Sequence, residues 1–197
     1  FPHCVENKWF INAEKIKIKY DLIHVSKLTK IKKIHNIIEA VHLLNLEGID
    51  TKLCIVGNGP EKEFLKQKTI SLGVKEEIFF SGYVPDPASF LKQSKIYVQS
   101  SKTEGFSYSL VEAMAIGLVP IVTEAGSEKD HIKNNYNGLF YEYGNAEDLK
   151  NKIKYVLRKN NYDHLKNNVI KYRNNYRMKN AIDVSEKIIS LLQSKND

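Results

Sequence analysis

The chain has 197 residues and a mass of 22.7 kDa, enough for one α/β domain to bury a core without disulfides or metals. Hydrophobic residues make up 42% and charged residues 27%, an ordinary globular balance, and no stretch approaches the ~20 apolar residues of a membrane span. The net charge of +7 rules out an acidic, solvating chain and leaves anionic partners open.

Along the chain, short apolar runs alternate with amphipathic stretches, as in successive βαβ units. Asp21 to Val25 predicts a strand, and Ile34, Ile37, Ile38, Val41 and Leu44 then mark one face of a helix that ends near Glu47-Gly48. Lys52 to Val56 is almost wholly apolar, as expected of a strand covered on both faces. Glu61 to Leu72 reads as a helix stopped by Gly73, Ile78 to Phe80 as a short strand, and Pro85 to Gln93 as a turn with a short helix. Ile96 to Val98 is a further strand, followed by a polar loop and a helix from Ser107 to Ile116 with Gly117 in the C′ role. Pro120 to Val122 and Leu139 to Tyr141 complete the strands, the second after an Asn137-Gly138 turn. Beyond Asn145 the pattern is helical only: Glu147 to Leu157, Tyr162 to Tyr172 and Ala181 to Leu192. The fold class is therefore α/β, a doubly wound parallel sheet with a C-terminal helical tail. Ligands in such sheets lie beyond the carboxyl ends of the strands.

The opening Phe1-Pro2-His3-Cys4-Val5-Glu6 begins without Met and lacks the basic and apolar regions of a signal peptide, so the sequence reads as a piece of a longer chain. Cys54 sits within Leu53-Cys54-Ile55-Val56 and reads as a buried thiol; Cys4 has no partner at metal-ligand spacing. Such cysteine use points to a reducing, cytoplasmic setting. From Lys150 to Lys179 there are ten Lys or Arg against the single acid Asp163, with four tyrosines interleaved. This run suits an anionic membrane surface or a nucleic acid, and equally a solvated helix face, the simpler reading.

Three loops attract attention. Gly57-Asn58-Gly59-Pro60 lies between a strand and a helix, where glycines permit a tight turn and close backbone approach; without a third glycine it does not match the dinucleotide fingerprint. Glu104 falls in the loop after a strand, and Glu112 follows eight residues later in the next helix. The helix start between them offers outward N–H groups to an anion, while the two carboxylates can accept vicinal hydroxyls. The same spacing also suits a capping acid and an exposed helix residue. Lys27 and Lys32, near the end of the first strand, form a second pair that is either phosphate-binding or solubilising.

Taken together, these segments resemble the C-terminal domain of the retaining glycosyltransferases of family 4, the glycosyl transferases group 1. Their E-G-F-G-x-x-x-x-E-A-x-A-x-G-x-P-V signature corresponds to Glu104-Gly105-Phe106-Ser107 through Glu112-Ala113-Met114-Ala115 to Gly117 and Pro120. G-R-L-x-x-x-K-G corresponds to Ser26-Lys27-Leu28 and Lys32-Lys33, V-G-x-G-P to Val56 through Pro60, and F-x-G-x-V to Phe80 through Val84. Gly126-Ser127, Asp130, Ile132 and Asn137-Gly138 follow in order, and the first six residues are similar to the family's interdomain linker. The departures are Lys27 for arginine, Ser26 and Lys33 for glycines, Ser107 for the second glycine of E-G-F-G, and Asp130 for glutamate.

The resemblance implies residues 1–15 as a linker remnant, 16–158 as a Rossmann-like nucleotide-sugar-binding domain and 159–197 as C-terminal helices. It implies Glu104 on donor-sugar hydroxyls, Glu112 on the ribose, and Lys27 and Lys32 on the diphosphate. Backbone around Gly105, Phe106, Ser107 and Tyr108 would meet sugar and phosphate, Gly82 and Tyr83 would lie against the base, and Gly57 and Gly59 would approach the ligand. The donor would be a nucleotide-diphosphate sugar, a UDP-sugar favoured, with no cofactor and no metal. A hexosyl group would pass to a saccharide or lipid-linked acceptor in surface polysaccharide synthesis. The acceptor domain would be N-terminal and absent from this chain, leaving it inactive by itself. The location would be cytoplasmic, or peripheral at the inner face of the membrane. The alternatives are a non-catalytic nucleotide-sugar-binding module and a basic nucleic-acid-binding domain; the second leaves Glu104 and Glu112 without a role.

Overall fold

The computed structural model describes Val5, Trp9, Phe10 and residues 16–176. Its centre is a six-stranded sheet formed by β1 (Tyr20–Val25), β2 (Leu53–Val56), β3 (Ile78–Gly82), β4 (Ser94–Gln99), β5 (Val119–Val122) and β6 (Leu139–Phe140). The strand order is β3-β2-β1-β4-β5-β6 and every pairing is parallel, with Leu22 of β1 opposite Leu53 on one side and Ile96 on the other.

Period-two geometry explains why the strand centres are apolar on both faces. Leu22, Leu53, Ile55, Ile96, Val98, Val119 and Ile121 enter one core, while Ile23, Cys54, Val56, Tyr97 and Val122 enter the other. The first core is closed by α1 (Ile34–Leu46), α2 (Lys62–Ser71) and α6 (Ala146–Leu157). The second is closed by α3 (Ala88–Lys92) and α4 (Tyr108–Ile116), with a short α5 (Glu128–His131) at its margin. Burial pushes the Cys54 thiol up to about 12, which suits a packing residue rather than a nucleophile.

α7 (Lys159–Tyr172) begins three residues before the predicted Tyr162, in a polar stretch with no apolar periodicity to mark it. It crosses the end of the sheet, placing Leu165 in the first core and Val169 in the second. Val5 and Trp9 also enter the second core, and the Val5 N–H donates to the Tyr176 carbonyl at 3.0 Å. The predicted helix Ala181 to Leu192 and Cys4 lie outside the described residues. No helix among the described residues is long and apolar enough to cross a membrane.

The structure also places part of the basic run. Lys150 pairs with Glu47 and Glu147, and Lys154 with Glu47 at 2.5 Å, tying α6 to the end of α1. Hydrogen bonds from the two ammoniums hold the Glu47 carboxyl down at about 2. These two lysines thus act within the fold rather than as free surface charge.

Candidate functional site

The order β3-β2-β1-β4-β5-β6 reverses direction between β1 and β4, and the crevice beyond their carboxyl ends is the switch point where open α/β sheets take ligands. Two chambers open there. One, of about 380 Å³, is lined by His24, Lys27, Lys32, Glu104, Glu112 and the start of α4. The other, of about 550 Å³, is walled by Val25, Val56, Val84, Pro87 and the exposed Tyr83 ring. They meet along Val25, Ser26 and Lys27, so they form one cleft with a polar and an apolar end.

The loop after β1 is held by the loop after β2. Ser26 N–H donates to the Val56 carbonyl and Leu28 N–H to the Asn58 carbonyl, both near 3 Å. A Cβ on Gly57 would lie 1.9 Å from the Ser26 carbonyl oxygen, and one on Gly59 would lie 2.3 Å from that of Leu28. Both glycines therefore let the backbone approach another loop and set the position of Lys27. Lys33 takes φ 45°, a left-handed conformation that explains why a glycine suits this position in the resembling family. Its ammonium lies 5.1 Å from the centre of the Tyr143 ring.

Lys32 and Glu104, 72 positions apart, form an ion pair at 2.5 Å with both side chains mostly buried. Glu104 Oε1 also accepts from the Ser101 hydroxyl, so both contacts fall on one oxygen. The Glu104 N–H donates to Ala125 O at 2.8 Å, and Ser100 Oγ donates to Lys32 O at 2.6 Å. Backbone as well as side chain thus fixes the pair. Ser107, just before α4, makes no capping bond with its hydroxyl, which instead donates to Gln99 Oε1 at 2.7 Å. The first-turn N–H groups of α4 therefore face the cleft without a side-chain cap, an arrangement that favours an anion.

In the floor of the polar chamber His24 is buried, with Nδ1 2.9 Å from Val98 O and Nε2 2.7 Å from Ser26 Oγ. A neutral imidazole has one N–H, and the carbonyl can only accept, so the proton sits on Nδ1. The Ser26 hydroxyl, also 3.1 Å from the Lys27 carbonyl, is then the donor facing Nε2 at the shorter distance. Burial lowers this imidazole to about 4, against the pull of the Val98 carbonyl. The ordinary value of 6.5 applies in the unfolded chain, which therefore binds the extra proton first as pH falls. Stability from this group is intact above 6.5 and declines to about 4, by roughly 3 kcal/mol in all. Urea unfolding at pH 7 and 4.5 should give a shallower pH dependence for His24→Asn than for the wild type; equal slopes would rule the assignment out.

Of the residues singled out in the sequence, Lys27, Lys32, Glu104, Phe106, Ser107, Tyr108 and Glu112 line the polar chamber. Gly57 and Tyr83 line the apolar one with Lys27. Gly59, Gly82 and Gly105 line neither; the Gly82 carbonyl accepts the Gly57 N–H at 2.9 Å, joining the ends of β3 and β2. The sequence reading missed His24, Tyr97, Gln99 and Ser109 in the floor and Val84 and Pro87 in the apolar wall. A polar residue at the carboxyl end of an apolar strand, as His24 and Gln99 are, was the available signal.

The fold defines a Rossmann-like domain with a cleft at its switch point. The family model "Glycosyl transferases group 1" matches residues 6–178, and the chain belongs to that family. It is 29% identical over 137 residues to the N-acetyl-alpha-D-glucosaminyl L-malate synthase of Bacillus anthracis, covering 70% of this chain and 36% of that protein. Among solved structures, the pneumococcal O-GlcNAc transferase GtfA in complex with UDP and GlcNAc superposes with a TM-score of 0.80 at 20% identity, over 93% of this chain and 38% of that one. The C-terminal domain of the glycosyl transferase group 1 family protein LpcC from Francisella tularensis gives 0.74 at 24% identity, over 90% and 96%. The chain spans about a third of the length of the Bacillus relative.

Proposed function

We propose that this chain is the donor-binding half of a retaining hexosyltransferase that uses a nucleotide-diphosphate sugar, a UDP-sugar by preference. The observation that carries the reading is the cleft itself. An apolar chamber sized for a base adjoins a polar one holding two lysines, two glutamates and an uncapped helix start. The base lies between Tyr83 and Val84 on one side and Gly57 on the other. Glu112 accepts the ribose hydroxyls, and the α4 N–H groups with Lys27 and Lys32 take the diphosphate. Glu104 Oε2 accepts a hydroxyl of the sugar.

Catalysis in such a site is positioning together with electrostatic stabilisation of the departing diphosphate. The lysines and helix terminus supply the positive charge without a metal. The Bacillus relative is named for an α-glucosaminyl group, and GtfA was solved with UDP and GlcNAc. An α product from an α-linked nucleotide sugar is retention. The acceptor-binding part belongs to the length of the relatives that this chain does not span, and surface glycan or lipid-linked saccharides are the acceptors we propose.

Calorimetric titration with UDP, GDP and ADP tests the reading. Saturable binding of UDP is expected, weakened by about tenfold in Glu112→Ala through loss of hydrogen bonds to a charged group. Absence of binding by all three nucleotides at millimolar concentration would refute it.

A further inference from the structure

Glu128 is fully buried and plays no part in the roles above, yet it lies one residue behind the floor of the polar chamber. Both its oxygens accept from N–H donors: Oε1 from Gln99 Nε2 at 2.6 Å and Oε2 from the Ala125 N–H at 3.2 Å. A carboxylate in this position can only accept, so it decides which way the Gln99 amide faces. The reverse orientation would set two acceptor oxygens against each other. The Gln99 carbonyl oxygen is thereby turned toward the cleft floor, where the Ser107 hydroxyl reaches it at 2.7 Å and the Tyr97 hydroxyl at 3.2 Å. Tyr97 OH lies 2.8 Å from Ser109 Oγ; with its proton given to Gln99 it accepts from Ser109. The protons of Ser107 and Gln99 run inward to Glu128, and Ser109 joins them in the arrangement where Tyr97 donates to Gln99.

We infer that Glu128 is a positioning residue that sets the hydrogen-bond polarity of the cleft floor, so that Ser107 and Ser109 present lone pairs and select the hydroxyl groups of the ligand. Phosphate oxygens have no use for acceptors and are left to the α4 N–H groups and the lysines. The floor thus separates the two chemistries of a nucleotide sugar along the first turn of one helix. This inference rests on the donor-site reading for the identity of the ligand, but the polarity itself does not depend on it.

Glu128→Gln keeps the volume and reverses the constraint: the Ala125 N–H holds the new amide's oxygen, its NH2 faces residue 99, and the Gln99 amide turns its carbonyl toward it. Gln99→Glu combined with Glu128→Gln restores the polarity: the carboxylate at 99 accepts from the amide at 128 and offers its other oxygen to Ser107 and Tyr97. The full chain and both variants are titrated with UDP, 2′-deoxy-UDP and UDP-glucose. The preference for UDP over 2′-deoxy-UDP, or for UDP-glucose over UDP, is expected to fall roughly fivefold in the single variant, one hydrogen bond's worth, and to return in the double variant. Preferences unchanged in all three proteins overturn the inference. A neutron structure of the deuterated chain reads the polarity with no nucleotide present. Deuterium on Ser107 Oγ directed at Gln99 is expected, and deuterium directed into the cleft overturns the inference. A wild type that binds no UDP yet shows the inward deuterium would sink the donor reading while upholding the polarity.

Discussion

Gly57→Ala is expected to cost at least about 3 kcal/mol of stability and to abolish measurable nucleotide binding. Two separate penalties combine at this position. Its φ of 137° lies where residues with a Cβ rarely go, which alone costs about 1 to 3 kcal/mol. The Cβ would also stand 1.9 Å from the Ser26 carbonyl oxygen, so one of the two loops has to move. Neither is free to do so. Gly57 N–H is bonded to the Gly82 carbonyl, and Ser26 N–H to the Val56 carbonyl. Relief of the clash therefore breaks the ladder at the carboxyl ends of β1, β2 or β3, and it carries Lys27 away from the cleft. Gly48→Ala is the control, since its φ of 72° adds backbone strain while no atom lies within 4 Å of the new methyl. It should cost only about 1 to 2 kcal/mol and leave UDP affinity unchanged. Urea denaturation and calorimetry on the two variants check both parts; equal losses in the two would show that the contact with Ser26 does not matter.

The same loops show how much was legible in the sequence. The strands were readable because each centres on a short apolar run bounded by turn residues, and the central ones, buried on both faces, show no alternation to confuse them. Glu104 and Glu112 stood out as a loop carboxylate and a helix carboxylate eight positions apart, a spacing that equally suits a capping acid and an exposed helix residue; the fold lines one chamber with both. The glycines at 57 and 59 were legible as a turn but not as a clamp on the preceding loop, since their neighbours Ser26 and Leu28 lie about thirty positions away in sequence. Glu128 was invisible for the same reason. Its partner Gln99 is 29 positions distant, and an acid in a polar stretch carries no local sign that it will be fully buried. Local pattern specifies elements; it does not specify which polar side chains meet after the sheet is assembled.

Lys32 and Glu104 are expected to part company when a nucleotide binds, and their variants should then move affinity in opposite directions. Without ligand each is the other's partner at 2.5 Å. A diphosphate entering the polar chamber offers Lys32 a second anion and meets in Glu104 a like charge. Lys32→Ala removes a charge-assisted hydrogen bond, worth about 1.5 to 3 kcal/mol, so UDP affinity should fall by about 10- to 100-fold. Glu104→Gln keeps an oxygen for Lys32 and Ser101, so the loop geometry survives, and it deletes the repulsion. UDP should bind that variant as well as the wild type or tighter, by up to about 1 kcal/mol at solvent-like screening. UDP-glucose should gain nothing comparable, because the carboxylate proposed to accept a sugar hydroxyl is gone. Calorimetry of both ligands at two salt concentrations separates the effects. The Lys32→Ala loss should shrink at high salt, whereas the failure of Glu104→Gln to favour UDP-glucose should persist. Parallel weakening of UDP in both variants would mean that the ion pair is purely structural, and that the diphosphate is held by Lys27 and the start of α4 alone.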